Sequence, residues 1–321
     1  MNRLSHLSER KILILIIILS IILRLAATLY MGNTVVELPG TADQITYHTL
    51  AQRVVDGFGF TFDQPWWPAT QPGEPTAHWS YFYTFFLAAI YKLFGVYPLI
   101  ARILQVLLIG TLQPLLIFLI AKKLFDPQIG LIAAAWSSTY VYFIYYSAAL
   151  LTEPLFILAV LFVFYLTLTI HEQENIPMRH YIYLGLACAV AVLLRQAFML
   201  FLPFLFIWIL YIKRKTPFLP SFLKLSVSGI IILASILPFT WFNYQRFDQF
   251  VLLNTNAGFA FYWANHPVYG TKFEGILPQS MGSYLGLLPP ELKGLNEAAL
   301  DQELLQRGWG FVQQDPQRYM L

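Results

Sequence analysis

The stretch ILILIIILSIILRLAATLYM, from Ile12 to Met31, is interrupted only by Ser20, Arg24 and Thr28. A helix needs about 20 mostly apolar residues to cross roughly 30 Å of hydrocarbon, and this run supplies them. Comparable stretches recur along the chain. The composition agrees: 58% of the 321 residues are hydrophobic and 12% charged, about half the charge of an ordinary wetted surface. These features predict an all-α polytopic membrane protein. A cleaved signal peptide is the competing reading of the first run. Its apolar core is long for that, and later spans need a first helix to orient them.

Basic residues then set the topology. Arg3, Arg10 and Lys11 precede the first span and place the N-terminus in the cytoplasm. The apolar stretch 79–94 is short for a span. If it crossed, Lys122-Lys123, the charged linker 171–180 and Lys213-Arg214-Lys215 would all face outward. If it lies in the interface, all three become cytoplasmic, so it is read as a juxtamembrane helix. About seven spans follow on the length criterion, over 11–31, 100–121, 128–149, 152–171, 179–195, 197–213 and 222–244. Two outer loops cover 32–99 and 245–315. Cys188 is the lone cysteine, which excludes an intramolecular disulfide framework. The net charge of +3 lies in short loops and sets orientation; it gives no basis for nucleic-acid binding.

In the first loop, Thr41-Ala42-Asp43-Gln44 reads as a capping box, with Thr41 as N-cap and Gln44 at the third helical position. The helix runs to Asp56 and ends at Gly57. Tyr47, Leu50, Ala51, Val54 and Phe58 form an apolar stripe suited to a membrane surface. Asp43 shares that stripe, where it is either a candidate acid or a partner of the helix dipole. His48 is either a head-group contact or a solvated interfacial histidine.

Glu153, between two apolar spans, is either a functional acid or a first-turn acid behind Thr152. Arg195 sits at an outer span end and calls for an anion, whether Glu153, a phosphate or lipid head groups. Arg102 and Lys92 flank the interfacial helix, where lipid phosphate and plain anchoring both suit them. Arg24, mid-span, is paired within the bundle or snorkels, and carries no catalytic assignment. In the last loop, amides and aromatics such as Tyr262, Trp263, Asn265 and His266 suit a sugar as well as an ordinary interface. No dinucleotide, phosphate-loop, zinc-hydrolase or serine-hydrolase motif is present.

An ordered set of short motifs runs through the chain. It comprises Asp43, Tyr47-His48-x-Leu50-Ala51, Gly57-Phe58-Gly59-Phe60 and Pro75-Thr76-Ala77-His78-Trp79. Tyr91-Lys92-Leu93-Phe94-Gly95, Ala101-Arg102-Ile103-Leu104-Gln105 and Leu151-Thr152-Glu153-Pro154 follow, then Leu193-Leu194-Arg195-Gln196 and Asn265-His266-Pro267. The set resembles GT-C glycosyltransferases that use polyprenyl-phosphate sugars, the bacterial relatives of protein O-mannosyltransferases and of the lipid A aminoarabinose transferase. Where protein O-mannosyltransferases carry Asp-Glu, this chain has Asp43-Gln44.

The resemblance implies a GT-C-like transmembrane helix bundle with outer-face juxtamembrane helices. It matches Asp43 and Glu153 to the family's acidic positions. It also implies inverting sugar transfer, in the cytoplasmic membrane, from a polyprenyl-phosphate carrier to a lipid, glycan or protein acceptor at the outer face. Asp43 would be the base, with Tyr47, His48, His78, Arg102, Arg195, Asn265 and His266 contacting substrate. No cofactor is required; a divalent metal could sit between Asp43 and Glu153, though no spacing demands one. Family members continue with further spans, so the chain, ending in Asp315–Leu321, is expected to be a fragment or truncated product. The rival readings are a lipid-linked sugar flippase and an inactive scaffold. Polar residues gathered at one face disfavour the former, because transporters place theirs at the midplane.

Topology is testable by single-cysteine labelling in a Cys188→Ser background. Lys123, Glu174 and Lys215 are expected to label from the cytoplasm, and Asp63, Glu153 and Glu274 from outside. Cytoplasmic labelling at position 86 would invert everything after it.

Overall fold

A computed structural model describes residues 8–38, 41–66, 70–173, 176–269 and 284–319. Arg3, Glu174 and Glu274 lie outside the described residues. Among these residues the chain is helical, with three isolated bridge pairs in place of strands. It is an all-α polytopic membrane protein.

The helices are α1 (Glu9–Met31), α2 (Asp43–Val55), α3 (Tyr81–Phe94), α4 (Pro98–Leu124), α5 (Pro127–Thr139) and α6 (Val141–Ala148). They continue as α7 (Glu153–Glu172), α8 (Met178–Leu194), α9 (Leu202–Ile212), α10 (Phe218–Phe247), α11 (Ala257–Asn265) and α12 (Glu297–Gln314). Helices α1, α4, α7 and α10 are long and apolar enough to cross a membrane. Helix α3, with 14 residues, is only about 21 Å long at 1.5 Å per residue. The chain forms two compact units, residues 1–48 with 82–236, and residues 49–81 with 237–321.

In the first unit α4 is the central helix, packed against α1, α5, α6 and α7. Helix α1 buries Ser20, Arg24 and Thr28 and turns Ile14, Leu15, Ile18, Leu19, Ile22 and Leu29 outward. This polar-inside arrangement is what a hydrocarbon solvent imposes, because a lone apolar side chain gains nothing by leaving lipid. Small residues permit close helix packing: a Cβ on Gly185 of α8 would lie 2.9 Å from the Ser228 Cα of α10.

The stretch read as one span over 128–149 is two helices, broken at Tyr140, whose φ of −67° and ψ of 117° are extended. A break leaves carbonyls without i+4 donors, and hydrocarbon cannot supply any. Arg24 answers this from α1. Its guanidinium donates to Ser20 Oγ at 2.6 Å and Gln113 Oε1 at 3.2 Å, and reaches Ser138 O at 3.4 Å and Ser137 O at 3.5 Å. The longer contacts are weak as hydrogen bonds. They nonetheless place the cation at the negative end of the α5 dipole. Arg24 is fully buried, its partners here being a hydroxyl, an amide and carbonyls. Of the two expectations, pairing within the bundle and snorkelling, it follows the first.

In the second unit, α2 ends as expected. Gly57 has φ of +86°, the Phe58 N–H returns to Arg53 O, and the Gly57 N–H returns to Val54 O. Helices α11 and α12 pack through a core of Phe259, Tyr262, Leu300 and Leu304. Their contact is close enough that a Cβ on Gly258 would lie 1.7 Å from Asp301 O. The Asp301 carboxylate caps the N-terminus of α11 by accepting the Gly258 and Phe259 N–H groups.

Replacing Arg24 with Leu removes the donor from Ser20, Gln113 and the α5 carbonyls while leaving them buried. The expected loss is about 2–4 kcal/mol, read as a lower unfolding midpoint in detergent, with Arg24→Lys intermediate. An unchanged midpoint in Arg24→Leu would remove this role.

Candidate functional site

Helix α4 carries Arg102, Gln105 and Gln113 at i, i+3 and i+11, all buried. Buried polar groups at this depth are costly and must be matched. Arg102 donates to Gly32 O at 2.6 Å, Thr34 O at 3.0 Å and Gln44 Oε1 at 3.2 Å. It therefore ties down the chain as it leaves α1 and enters α2. The side chain is 0% exposed, and its Nη donors bond main-chain and amide oxygens.

Gln44 is a correction. A capping box would turn its side chain back to Thr41. Instead Nε2 donates to Val36 O, while Oε1 accepts from Arg102 and, at 3.5 Å, from the Leu150 N–H. Thr41 Oγ1 accepts the Asp43 N–H at 3.1 Å. The first backbone bonds of α2 run to Ala42 O, which makes Ala42 the cap residue. Gln44 is drawn inward because Arg102 and the irregular 149–152 segment need an acceptor in a dry interior.

Gln105 serves the same segment. Its Nε2 donates to Ser147 O and Ala149 O, both at 2.8 Å, and its Oε1 accepts from Tyr83 Oη at 2.8 Å. Residues 149–152 lie between α6 and α7, where the Ala149 carbonyl and the Leu150 N–H take partners from other helices. Gln44 and Gln105 provide them.

Helix α7 starts directly after this segment, with Glu153 as its first residue. Glu153 Oε1 accepts from Arg195 Nη2, and Oε2 accepts from Thr152 Oγ1 at 3.2 Å. Arg195, the extended residue closing α8, thus takes Glu153 as its anion. The side chains are 45% and 37% exposed for Arg195 and Glu153, so the pair stabilises the fold by about 1 kcal/mol at most. Glu153 also lines a cavity of about 20 Å³ with Gln113, Tyr146 and Ser147, room for a single water.

Asp43, the half-buried first residue of α2, stands beside Gln44. The Gln44–Leu150 contact joins the segment carrying Asp43 to the one leading into Glu153. Tyr47 is buried, its ring edge-on to Tyr83 at 5.0 Å. His48 Nδ1 meets Tyr91 Oη at 2.8 Å. The stripe expected to face lipid is instead largely buried, with Leu50 and Ala51 at 0% exposure. Asp43, Tyr47, His48, Arg102, Glu153 and Arg195 all belong to the first unit.

His78, Asn265 and His266 belong to the second. Asn265 Nδ2 donates to Phe261 O within α11, and the carbonyls of Asn265 and His266 accept from Arg318. The His266 ring lies between Tyr262 and Phe311. Burial and the nearby Arg318 charge lower its pKa.

Tyr83 and Gln113 were not foreseen, and Gln44 only as part of a capping pattern. The glutamines had a readable signal, since Gln113 repeats the Arg102 and Gln105 face of an otherwise apolar span. Tyr83 had none.

Burial, then the Arg102 charge, holds the His48 pKa below its ordinary 6.5. The unfolded chain therefore takes up a proton at His48 before the folded one does. The stability present above pH 6.5 is lost as pH falls below it. Thermal unfolding in detergent is expected to show a steeper acid-side decline in wild type than in His48→Gln. Parallel declines would contradict this.

A family model described as dolichyl-phosphate-mannose-protein mannosyltransferase matches residues 78–242, just over half of the chain. The matched stretch contains Arg102, Gln105, Gln113, Glu153 and Arg195. No curated protein matches the chain. With its helical membrane fold and the buried polar face of α4 inside the matched region, the chain belongs to the dolichyl-phosphate-mannose-protein mannosyltransferase family, membrane glycosyltransferases of the mannosyltransferase kind.

Proposed function

We propose that the protein transfers a sugar, with inversion, from a polyprenyl-phosphate carrier to an acceptor at the outer face of the cytoplasmic membrane. The observation that carries the reading is the Gln44–Leu150 junction, which joins the Asp43 segment to the one leading into the Glu153–Arg195 pair. An exposed ion pair is a weak stabiliser, which leaves Glu153 and Arg195, with Asp43 on the segment that the Gln44–Leu150 contact ties to theirs, as the candidates for chemistry.

In this reading Asp43 takes the proton of the acceptor hydroxyl as a positioned general base. The acceptor oxygen bonds to the anomeric carbon as the bond from that carbon to the phosphate oxygen breaks. The electron pair departs on the polyprenyl phosphate, whose growing charge Arg195 stabilises. Glu153 orients Arg195 until the phosphate arrives and shares it. Arg195 is the cation already seated on the Glu153 carboxylate. Tyr47 and His48 support the Asp43 helix, and His78, Asn265 and His266 remain candidate substrate contacts within their own unit. An open groove of about 400 Å³, lined by Ile117, Ala133, Trp136, Ser137, Tyr140 and Phe143, is suited to the carrier's apolar tail.

The test is consumption of radiolabelled polyprenyl-phosphate mannose by purified protein in lipid nanodiscs, with anomer analysis of the product. Asp43→Asn keeps shape but removes the proton acceptor, so turnover should fall by about 10² or more, while donor binding persists. Arg195→Ala should weaken donor binding at least as much as turnover. Wild-type turnover in Asp43→Asn would end its role as base.

A further inference from the structure

Gln113 is 3% exposed and lies on α4, in the unit that also holds Arg24 and Glu153. Its Oε1 accepts from Arg24 Nη2 at 3.2 Å. A guanidinium has donors only, so the amide turns its oxygen to Arg24 and keeps its N–H groups for another partner. Among the described residues Nε2 has none, although it is buried. The other two glutamines of this polar interior differ. Gln44 Nε2 donates to Val36 O, and Gln105 Nε2 to Ser147 O and Ala149 O. A buried donor without an acceptor is rare in a folded protein and calls for one.

Gln113 lines the cavity of about 20 Å³ that Ser147 and Glu153 also line. One water needs about 10–15 Å³ and at least two polar partners, and the cavity offers both. The chemistry at its two ends selects the occupant. At Gln113 the occupant must accept a hydrogen bond. At Glu153 it must donate one, because an ionised carboxylate only accepts. A cation cannot accept from Nε2, an anion is repelled by Glu153, and a lipid methyl leaves Nε2 unpaired. A hydroxyl oxygen does both, and the volume restricts it to water. Glu153 has capacity to spare, since Oε1 accepts from Arg195 and Oε2 from Thr152 Oγ1, and each oxygen carries a second lone pair.

We propose that this cavity is a binding site for one water, which accepts from Gln113 Nε2 and donates to the Glu153 carboxylate. The water continues a line of polar groups from Arg24 in α1, through Gln113 in α4, to the Glu153–Arg195 pair. The inference does not depend on the proposed transfer reaction.

The experiment uses the full chain in lipid nanodiscs, ¹⁵N-labelled at glutamine, with neither donor nor acceptor present. A hydroxyl at the site then comes from water and not from substrate. Magnetisation transfer from water to the side-chain amides is followed by solid-state NMR, with Gln105 and Gln113 assigned by single replacement. Gln113 Nε2 is expected to gain signal several-fold faster than Gln105 Nε2, whose partners are carbonyls. Ile157 lines the cavity. Ile157→Phe, and the milder Ile157→Met, are expected to bring Gln113 down toward the Gln105 rate while Gln105 holds. Glu153→Leu, which deletes the acceptor, is expected to slow Gln113 likewise, and Glu153→Gln, which keeps an acceptor oxygen, to leave it fast. Equal rates for Gln113 and Gln105 in the wild type overturn the bound water. An unaltered Gln113 rate in both Ile157 variants overturns the cavity as its site, and an unaltered rate in Glu153→Leu overturns Glu153 as its partner.

Discussion

A backbone N–H or C=O left unpaired in hydrocarbon costs several kcal/mol, and no water is present to relieve it. The first unit is organised around that constraint. Its chain breaks helical order at Tyr140 and again across 149–152, both within otherwise apolar sequence. Each break is allowed only because a polar side chain from another helix reaches it. Arg24 reaches the first from α1; Gln105 from α4 and Gln44 from α2 reach the second.

The same constraint explains the two buried arginines. Arg24 and Arg102 are both fully buried, with guanidinium groups bonded to neutral oxygens. Each lies near the carbonyl end of a helix, α5 for Arg24 and α1 for Arg102, where the partial negative charge offsets the cation. They act as structural cations. Arg195, partly exposed and paired with a carboxylate, is a different kind of residue. The second unit follows the inverse rule: a buried acid, Glu297, gathers donors from two distant stretches of chain. In both units a formal charge has been buried to organise irregular backbone, at positions where an apolar residue would leave several groups unsatisfied.

Much of the architecture was legible because it depends on local physics. Apolar runs long enough to span, the glycine closing α2, and the first-turn position of Glu153 are set by residues close in sequence. The short Tyr81–Phe94 helix was read from its length together with the parity of the basic loops that follow it. The remainder depended on partners far along the chain. Thr41 and Gln44 satisfy a capping pattern, yet a buried guanidinium 58 positions away competes for Gln44 and wins. Arg102 carries the residue type of a phosphate contact, but three carbonyl-type oxygens enclose it.

By itself, then, the sequence determined that this protein is helical and membrane-embedded, where most of its helices lie, and which acids and bases deserve notice. Hydropathy, helix length and terminal glycine chemistry are properties of contiguous residues. Tertiary structure alone decided which polar groups are consumed in holding the fold and which are left partly exposed. It gave Arg102 to the backbone, Arg195 to Glu153, and Glu297 to Thr70, Ala77 and Thr255. A side chain's hydrogen-bonding capacity is finite, and which groups draw on it depends on segments that meet only after folding.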